Sequence, residues 1–255
     1  MLQCLQGLKK AMDVGWYHPS TFNQDEYELL DNPSNADMHF LSPKFVAFKG
    51  PSHRRTKIMP GVYTFSARHY ASIFKERGIT AVVRLNEAST YDREEFIKEG
   101  IKHHDLYFDD CTVPSNAVVL NFLNMVEAEK GVVAVHCKAG LGRTGTLIAI
   151  YWMKHFRFTA SECIGWQRIV RPGCIIGPQQ QYLHWAEAQF KSSRSGQPSK
   201  SVAEPAQVSH AQPPSSRMLQ LHACTCPTAA RRCTKGTHGV KQGRRPCRAA
   251  WQQPC

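Results

Sequence analysis

The chain has 255 residues, with 10 cysteines, 32 lysines and arginines, and 20 aspartates and glutamates, for a formal net charge of +12. At roughly 150 residues per domain this is one domain with an appendage, or two small ones, and it is long enough to bury a core without disulfides or metal. The longest strongly apolar run, Leu147 to Met153, is far short of the roughly 18 residues that cross a bilayer. Met1-Leu2-Gln3-Cys4 opens no secretory signal, and Gln252-Gln253-Pro254-Cys255 is no prenylation box. An intracellular protein of the nucleus or cytoplasm with reduced thiols is expected, with no membrane partner.

In chain order, Leu5, Leu8 and Met12 keep a helical spacing, and Asn23 is placed to cap a helix from Gln24 to Leu30 that Asp31-Asn32-Pro33 stops. An α/β alternation follows. Phe45 to Phe48 is a strand, Pro51 to Pro60 a loop, and Arg68 to Arg77 a helix closed by Gly78. Thr80 to Leu85 is apolar without alternation, as in a buried strand. Tyr91 to Glu99 is expected as a helix and His104 to Phe108 as the next strand. Ser115 caps a helix running through Glu129, and Val132 to Val135 is another buried strand. A helix from Thr144 to about Phe156 and two more near 160–170 and 179–190 complete the pattern. Strands alternating with helices of this length predict an α/β fold, its central mixed sheet covered by helices on both faces.

The pattern stops after Phe190. Residues 191–255 hold seven of the 15 prolines, 11 basic residues and one acid, Glu204, leaving 21 basic and 19 acidic residues before them. Such a composition buries too little apolar surface to offset its ordering entropy, so the tail is expected to be disordered and basic. The net charge is therefore a property of the tail.

Chemistry concentrates in Val135-His136-Cys137-Lys138-Ala139-Gly140-Leu141-Gly142-Arg143-Thr144-Gly145. A cysteine leaves an apolar strand, glycines punctuate the loop, and a long apolar helix begins at the arginine. Glycines let successive amides of Lys138, Ala139, Gly140, Leu141 and Gly142 curl inward as a nest for a tetrahedral dianion. The helix N-terminus adds positive charge at the same point. Arg143 offers a planar fork for two phosphate oxygens. The same field favours the thiolate of Cys137 as a nucleophile. Thr144 can offer its hydroxyl to that thiolate, and His136 can brace the loop. Neither metal nor cofactor is required. The alternative is a buried strand–turn–helix with an inert cysteine.

Attack by a thiolate needs a proton donor for the leaving alkoxide, and Asp109 and Asp110 follow the strand expected at His104 to Phe108. Residue types alone do not separate the two. Ile176-Gly177-Pro178-Gln179-Gln180 brings two amides able to orient a hydrolytic water, and reads equally as a helix N-terminus with proline near its first position.

His136 through Gly145 matches the cysteine phosphatase loop H-C-x-x-G-x-x-R-[ST]-G and resembles the dual-specificity phosphatases of the mitotic-exit (cell division cycle fourteen) family. Thr80 to Asn86, Tyr151 to Phe158, and Arg171 to Gln180 resemble the same family, and the similarity runs from about residue 1 to 190. The resemblance implies a protein tyrosine phosphatase-like fold, a cysteinyl-phosphate intermediate and phosphoprotein substrates with phosphoserine followed by proline. By position it makes Cys137 the nucleophile, Arg143 the phosphate clamp and Asp110 the general acid, and it places Gln179 and Gln180 in the family's glutamine loop. Asp25 to Asp31 resembles the family's linker helix, where acids at Glu28 and Asp31 select a basic residue downstream of the phosphoserine; their spacing puts both on one helix face. Residues 1–40 are then the linker region, 41–190 the catalytic domain and 191–255 the tail. Family members usually carry a second phosphatase-like domain before the linker, so part of the specificity groove is expected to be missing. Cys111 and Val113 depart from the Gly and Thr more usual in the acid loop.

Two other readings compete with phosphoprotein hydrolysis. A phosphoinositide phosphatase favours two lysines in the loop, whereas here Lys138 is present but the other position is Leu141. A phosphoprotein-binding module without catalysis would not need every chemical group that is present. In the tail, Arg231-Arg232 and Lys241-Gln242-Gly243-Arg244-Arg245 suit nuclear import or nucleic acid. Cys224, Cys226, Cys233 and Cys247 lack the paired spacing of ordinary zinc sites and are expected to be free thiols.

Overall fold

The apolar runs become strands of one sheet. The computed structural model of the chain describes residues 1–59 and 62–195, with the side chains of the last two excepted. Of the tail expected to be disordered from residue 191, residues 191–195 instead continue the last helix; the rest of it, with the basic clusters and the tail cysteines, lies outside the described residues.

In chain order the elements are α1 (Leu2–Asp13), α2 (Gln24–Asp31), β1 (Met38–Phe40), β2 (Phe45–Phe48), β3 (Lys57–Met59) and β4 (Val62–Tyr63). Then come α3 (Ala67–Glu76), β5 (Ile79–Arg84), α4 (Glu94–Ile97), β6 (Lys102–Asp105) and α5 (Asn116–Ala128). The last four are β7 (Val132–His136), α6 (Gly142–Phe156), α7 (Ala160–Val170) and α8 (Pro178–Ser195). The main sheet has the order β1-β2-β7-β5-β6; β1 is antiparallel to β2 and the other neighbours are parallel. The sheet is mixed, as expected.

Side chains of the parallel strands alternate between two cores. Phe45, Ala47, Ala81, Val83, Val133 and Val135 face one, which α1, α5, α6, α7 and α8 cover. Val46, Phe48, Val82 and Ala134 face the other, with Leu30 of α2, Tyr70 and Phe74 of α3 and Phe96 of α4. Burial on both faces explains why these strands show no polar alternation. Helix starts follow local capping chemistry. Asn23 accepts from the Glu26 amide, Ser115 from that of Val118, and Thr159 forms a capping box with Glu162. The N-terminal helix is seated closely on α7, where a Cβ on Gly165 would fall 1.8 Å from the Gln3 carbonyl oxygen.

Four boundaries differ from the sequence expectation. Strand β6 sits two residues earlier than expected, because Leu106 and Phe108 leave the strand to cap the core while their amides still bond the Arg84 and Leu85 carbonyls at 2.9 and 3.4 Å. Tyr91 does not start a helix; it is extended at φ −163°, which turns its ring into the interior. Part of the expected 51–60 loop belongs to the β3–β4 hairpin, and β1 was not anticipated. Among the described residues no helix is long and apolar enough to cross a membrane, and no group of three or more His, Cys, Asp or Glu is placed to hold a metal ion.

Because β2, β5, β6 and β7 are parallel, their carboxyl ends share one edge. Residues 49–50, 85–86, 106–110 and 137–141 therefore converge there, where open α/β sheets place their ligands.

Candidate active site

Strand β7 delivers Cys137 to that edge, 3 % exposed, and α6 begins five residues later at Gly142. Between them the loop is bent by Gly140, whose φ is +68°. A Cβ there would meet the Phe48 carbonyl oxygen at 1.9 Å, so only glycine fits. Lys138 and Ala139 form the exposed rim, while Leu141 and Gly142 are half-buried. The amides of residues 138–142 have no acceptor among the described residues, as an anion nest requires. The loop is held from outside through its carbonyls. Gly50 donates its amide to the Lys138 carbonyl at 3.1 Å, and His136 donates Nδ1–H to that of Cys137 at 2.9 Å.

Arg143, in the first turn of α6, is 1 % exposed. Its Nη1 donates to the carbonyls of Leu85 at 3.1 Å and Phe108 at 2.7 Å, anchoring the guanidinium to the ends of two neighbouring strands. Its Nη2 lies 3.1 Å from Asp110 Oδ1, and its buried Nε has no protein partner. The fork is thus fixed on one side by two carbonyls and engages Asp110 on the other, leaving Nε as its unpartnered donor. Thr144 Oγ1 is buried and has no hydrogen-bond partner among the described residues, so the expected donation to Cys137 is not made.

The two aspartates part company. Asp109 accepts from the Tyr107 hydroxyl at 2.7 Å, whereas Asp110 reaches Arg143. Asp110 has 51 % of its side chain exposed, and Cys111 next to it adopts φ +59°. The glutamines also separate. Gln179 is buried, donates Nε2–H to the Thr112 carbonyl of the acid loop at 3.1 Å, and would lie 2.7 Å from a Cβ on Gly142. Gln180 instead accepts from Arg168 at 3.0 Å. Only Gln179 touches both the cradle and the acid loop.

Glu28 and Asp31 differ as well. Glu28 accepts from Gln24 at 2.8 Å on the exposed face of α2. Asp31 Oδ1 lies 3.1 Å from His39 Nε2, which leads to a residue the sequence reading did not single out. Arg171, 4 % exposed, donates to the Gly140 and Ala139 carbonyls, both at 2.9 Å. It also contacts His39 Nδ1 at 2.9 Å and Asp37 at 2.8 Å. Burial, with Arg171 beside it, lowers the His39 pKa to about 3, so His39 is neutral and can accept that contact. Its position just before Pro172-Gly173 was the only signal available; burial of an arginine over a loop more than 30 residues away leaves no trace in spacing.

The chain is similar to known phosphatases. A family model described as a polymorphic toxin system, DSP-PTPase phosphatase, matches residues 59–157. The human dual specificity protein phosphatase CDC14C is 47 % identical over 184 residues, 72 % of this chain and 41 % of that protein. Human CDC14A is 48 % identical over 189 residues, 74 % of this chain and 32 % of that protein. The Caenorhabditis elegans tyrosine-protein phosphatase cdc-14 is 45 % identical over 180 residues, 70 % of this chain and 25 % of that protein. The chain thus spans between a quarter and two fifths of the length of these relatives. Among solved structures, kinase associated phosphatase superposes with TM-score 0.52 at 17 % identity, covering 63 % of this chain and 98 % of that one. PTPMT1 does so with TM-score 0.51 at 19 % identity, covering 62 % and 99 %. These two establish a protein tyrosine phosphatase-like fold.

Proposed function

We propose that the protein, whose matched stretch is similar to the CDC14 dual specificity phosphatases, hydrolyses phosphoserine, phosphothreonine and phosphotyrosine monoesters, favouring phosphoserine followed by proline. The observation that carries the reading is the joint placement of Cys137, Arg143 and Asp110 around an amide nest with no protein acceptor.

In the first step the Cys137 thiolate attacks phosphorus and the bond from phosphorus to the seryl oxygen breaks. Asp110, protonated, gives its proton to that oxygen, so serine leaves as the alcohol. Arg143 and the amides of 138–142 hold the three equatorial oxygens as charge spreads over them. In the second step water attacks the cysteinyl phosphate and the S–P bond breaks. Asp110, now the carboxylate, accepts the water's proton, and Gln179 orients that water. The thiolate and inorganic phosphate are regenerated and released.

Glu28 and Asp31 are offered as the acids that favour a basic residue after the phosphosite. Both lie on α2, where Asp31 faces His39 and Glu28 accepts from Gln24. The fold-building role of α1 and α2 supports treating residues 1–40 as part of the working unit. Phosphoproteins of the nucleus or cytoplasm that carry Ser-Pro sites, as cell-cycle substrates do, are the proposed partners.

The test is phosphate release from a panel of phosphoserine peptides differing at the next three positions, with phosphoinositides alongside. Faster release from proline-containing peptides, abolished by Cys137→Ser, supports the reading. Preference for phosphoinositides, or an unchanged rate in Cys137→Ser, overturns it.

A further inference from the structure

A line of buried hydrogen bonds runs from the nucleophile's own backbone to the far edge of the sheet. His136 Nδ1 lies 2.9 Å from the Cys137 carbonyl oxygen, and its Nε2 lies 2.7 Å from the Tyr91 hydroxyl. The same hydroxyl lies 2.7 Å from His103 Nε2. Beyond it, His103 Nδ1 lies 4.0 Å from Asp105 Oδ2, and Asp105 is held by Arg84 at 2.6 Å and Arg93 at 3.2 Å. His136, Tyr91 and His103 are all 5 % exposed or less. No step of the reaction outlined above uses Tyr91 or His103.

Donor and acceptor counting fixes the direction of every proton in this line. A carbonyl can only accept, so His136 carries its proton on Nδ1. Burial drives the His136 pKa down to about 3, so the ring is neutral and Nε2 is an acceptor. The Tyr91 hydroxyl must then donate to it. Having given its one proton, that oxygen can only accept from His103, which must carry a proton on Nε2. Burial also lowers the His103 pKa, to about 4, leaving its Nδ1 bare, which fits the lack of any hydrogen-bond partner there. The groups that set the charge around His103 are Asp105, Arg84, Arg93, His104 and His136, with Tyr91 against it.

We infer that His103, acting through Tyr91 and His136, is a positioning residue that holds the Cys137 carbonyl outward so that the amides of the following loop face the oxyanion. Successive hydrogen bonds of one polarity strengthen one another in a dry interior. The Cys137 carbonyl is where the nest begins, and a rotation of that peptide unit would misdirect the amide next to it. The inference rests on the reading of Cys137 as the nucleophile and of the loop as a phosphate cradle.

The test uses His103→Leu, which removes the donor, His103→Gln, whose side-chain amide can replace Nε2–H, and Tyr91→Phe. Oxyanion affinity is read without turnover, as protection of Cys137 from iodoacetate by tungstate, and kcat is measured per Cys137 that saturating tungstate protects, so that only folded protein counts. We expect His103→Leu and Tyr91→Phe each to weaken tungstate binding and lower kcat about tenfold, the size expected from a slightly misplaced site. His103→Gln should retain most of both, and His103→Leu should cost nothing more in the Tyr91→Phe background. Leu and Gln variants that fall equally, fully additive losses, or unchanged tungstate protection in His103→Leu would overturn the inference. A wild-type chain that binds tungstate yet releases no phosphate would instead overturn the proposed function and leave the positioning result readable.

Discussion

The cradle and the acid loop face each other across the same site but are built in opposite ways. In the cradle every group that can be fixed is fixed from behind: Arg143 by two carbonyls, the loop carbonyls by Arg171, Gly50 and His136. Among the described residues the amides of 138–142 and Arg143 Nε keep no protein partner. The acid loop exposes half of Asp110, places Cys111 in the left-handed region, and is tied back through Thr112 to Asp109 and Gln179. The contrast follows from the chemistry. A dianion must be met by dipoles that are already oriented, whereas a proton donor has to approach a leaving group that changes with each substrate. Substitutions in the cradle should therefore cost both activity and stability, and substitutions in the acid loop should cost activity alone.

The largest effect is expected from Arg143→Lys, which keeps the charge but loses the fork and the two carbonyl anchors. Steady-state kinetics should show kcat/KM down on the order of 10³-fold, with a lower melting temperature. Asp110→Asn should lower kcat on the order of 10²-fold at an unchanged melting temperature. The pH profile of kcat, bell-shaped when both ionised Cys137 and protonated Asp110 are needed, should lose the limb set by the acid. If both limbs persist, Asp110 is not the acid. Arg171→Met should destabilise by about 3 kcal/mol, because it strips a buried cation from Asp37, His39 and two loop carbonyls; denaturant titration reads that loss.

The cradle side should also be acid-sensitive. His39, His103 and His136 have folded pKa values lowered by burial to about 3, 4 and 3, below the unfolded value near 6.5. Between those limits the unfolded chain binds more protons than the folded one, so stability is full above about pH 6.5 and falls as pH drops toward 4. Thermal melts from pH 7 to 4 should show this decline, and His103→Gln should flatten it. The smallest effect belongs to Gln180→Ala, whose side chain meets Arg168 rather than the cradle; its kcat should stay within about twofold of wild type, while Gln179→Ala should slow dephosphorylation. Equal losses in the two would mean that the Gln179 contacts do not set the difference.

Much of the cradle was legible in sequence because its causes are local. An apolar run, a glycine-punctuated loop and a helix start lie within about 15 consecutive residues, and each follows from backbone chemistry at that place. The choice between Asp109 and Asp110 was not local. It depends on Tyr107 capturing one carboxylate and Arg143 the other, and in sequence only family resemblance separated them. Arg171, His39, Tyr91 and His103 escape the sequence for the same reason: their partners lie up to 134 positions away. Tyr91 was hidden further by helix-forming neighbours that concealed an extended residue. Strand β6 slipped by two residues because Leu106 and Phe108 are as buried as strand residues without belonging to the strand.

The central claim is that phosphate passes through Cys137. Its most direct test is a chemical quench of the full chain mixed with a peptide carrying radiolabelled phosphoserine-proline, with the label then mapped on the protein. The account predicts label on Cys137 within the first turnover, more of it in Gln179→Ala, and none in Cys137→Ser. Phosphate release with the label on another residue, or at the wild-type rate in Cys137→Ser, would contradict it.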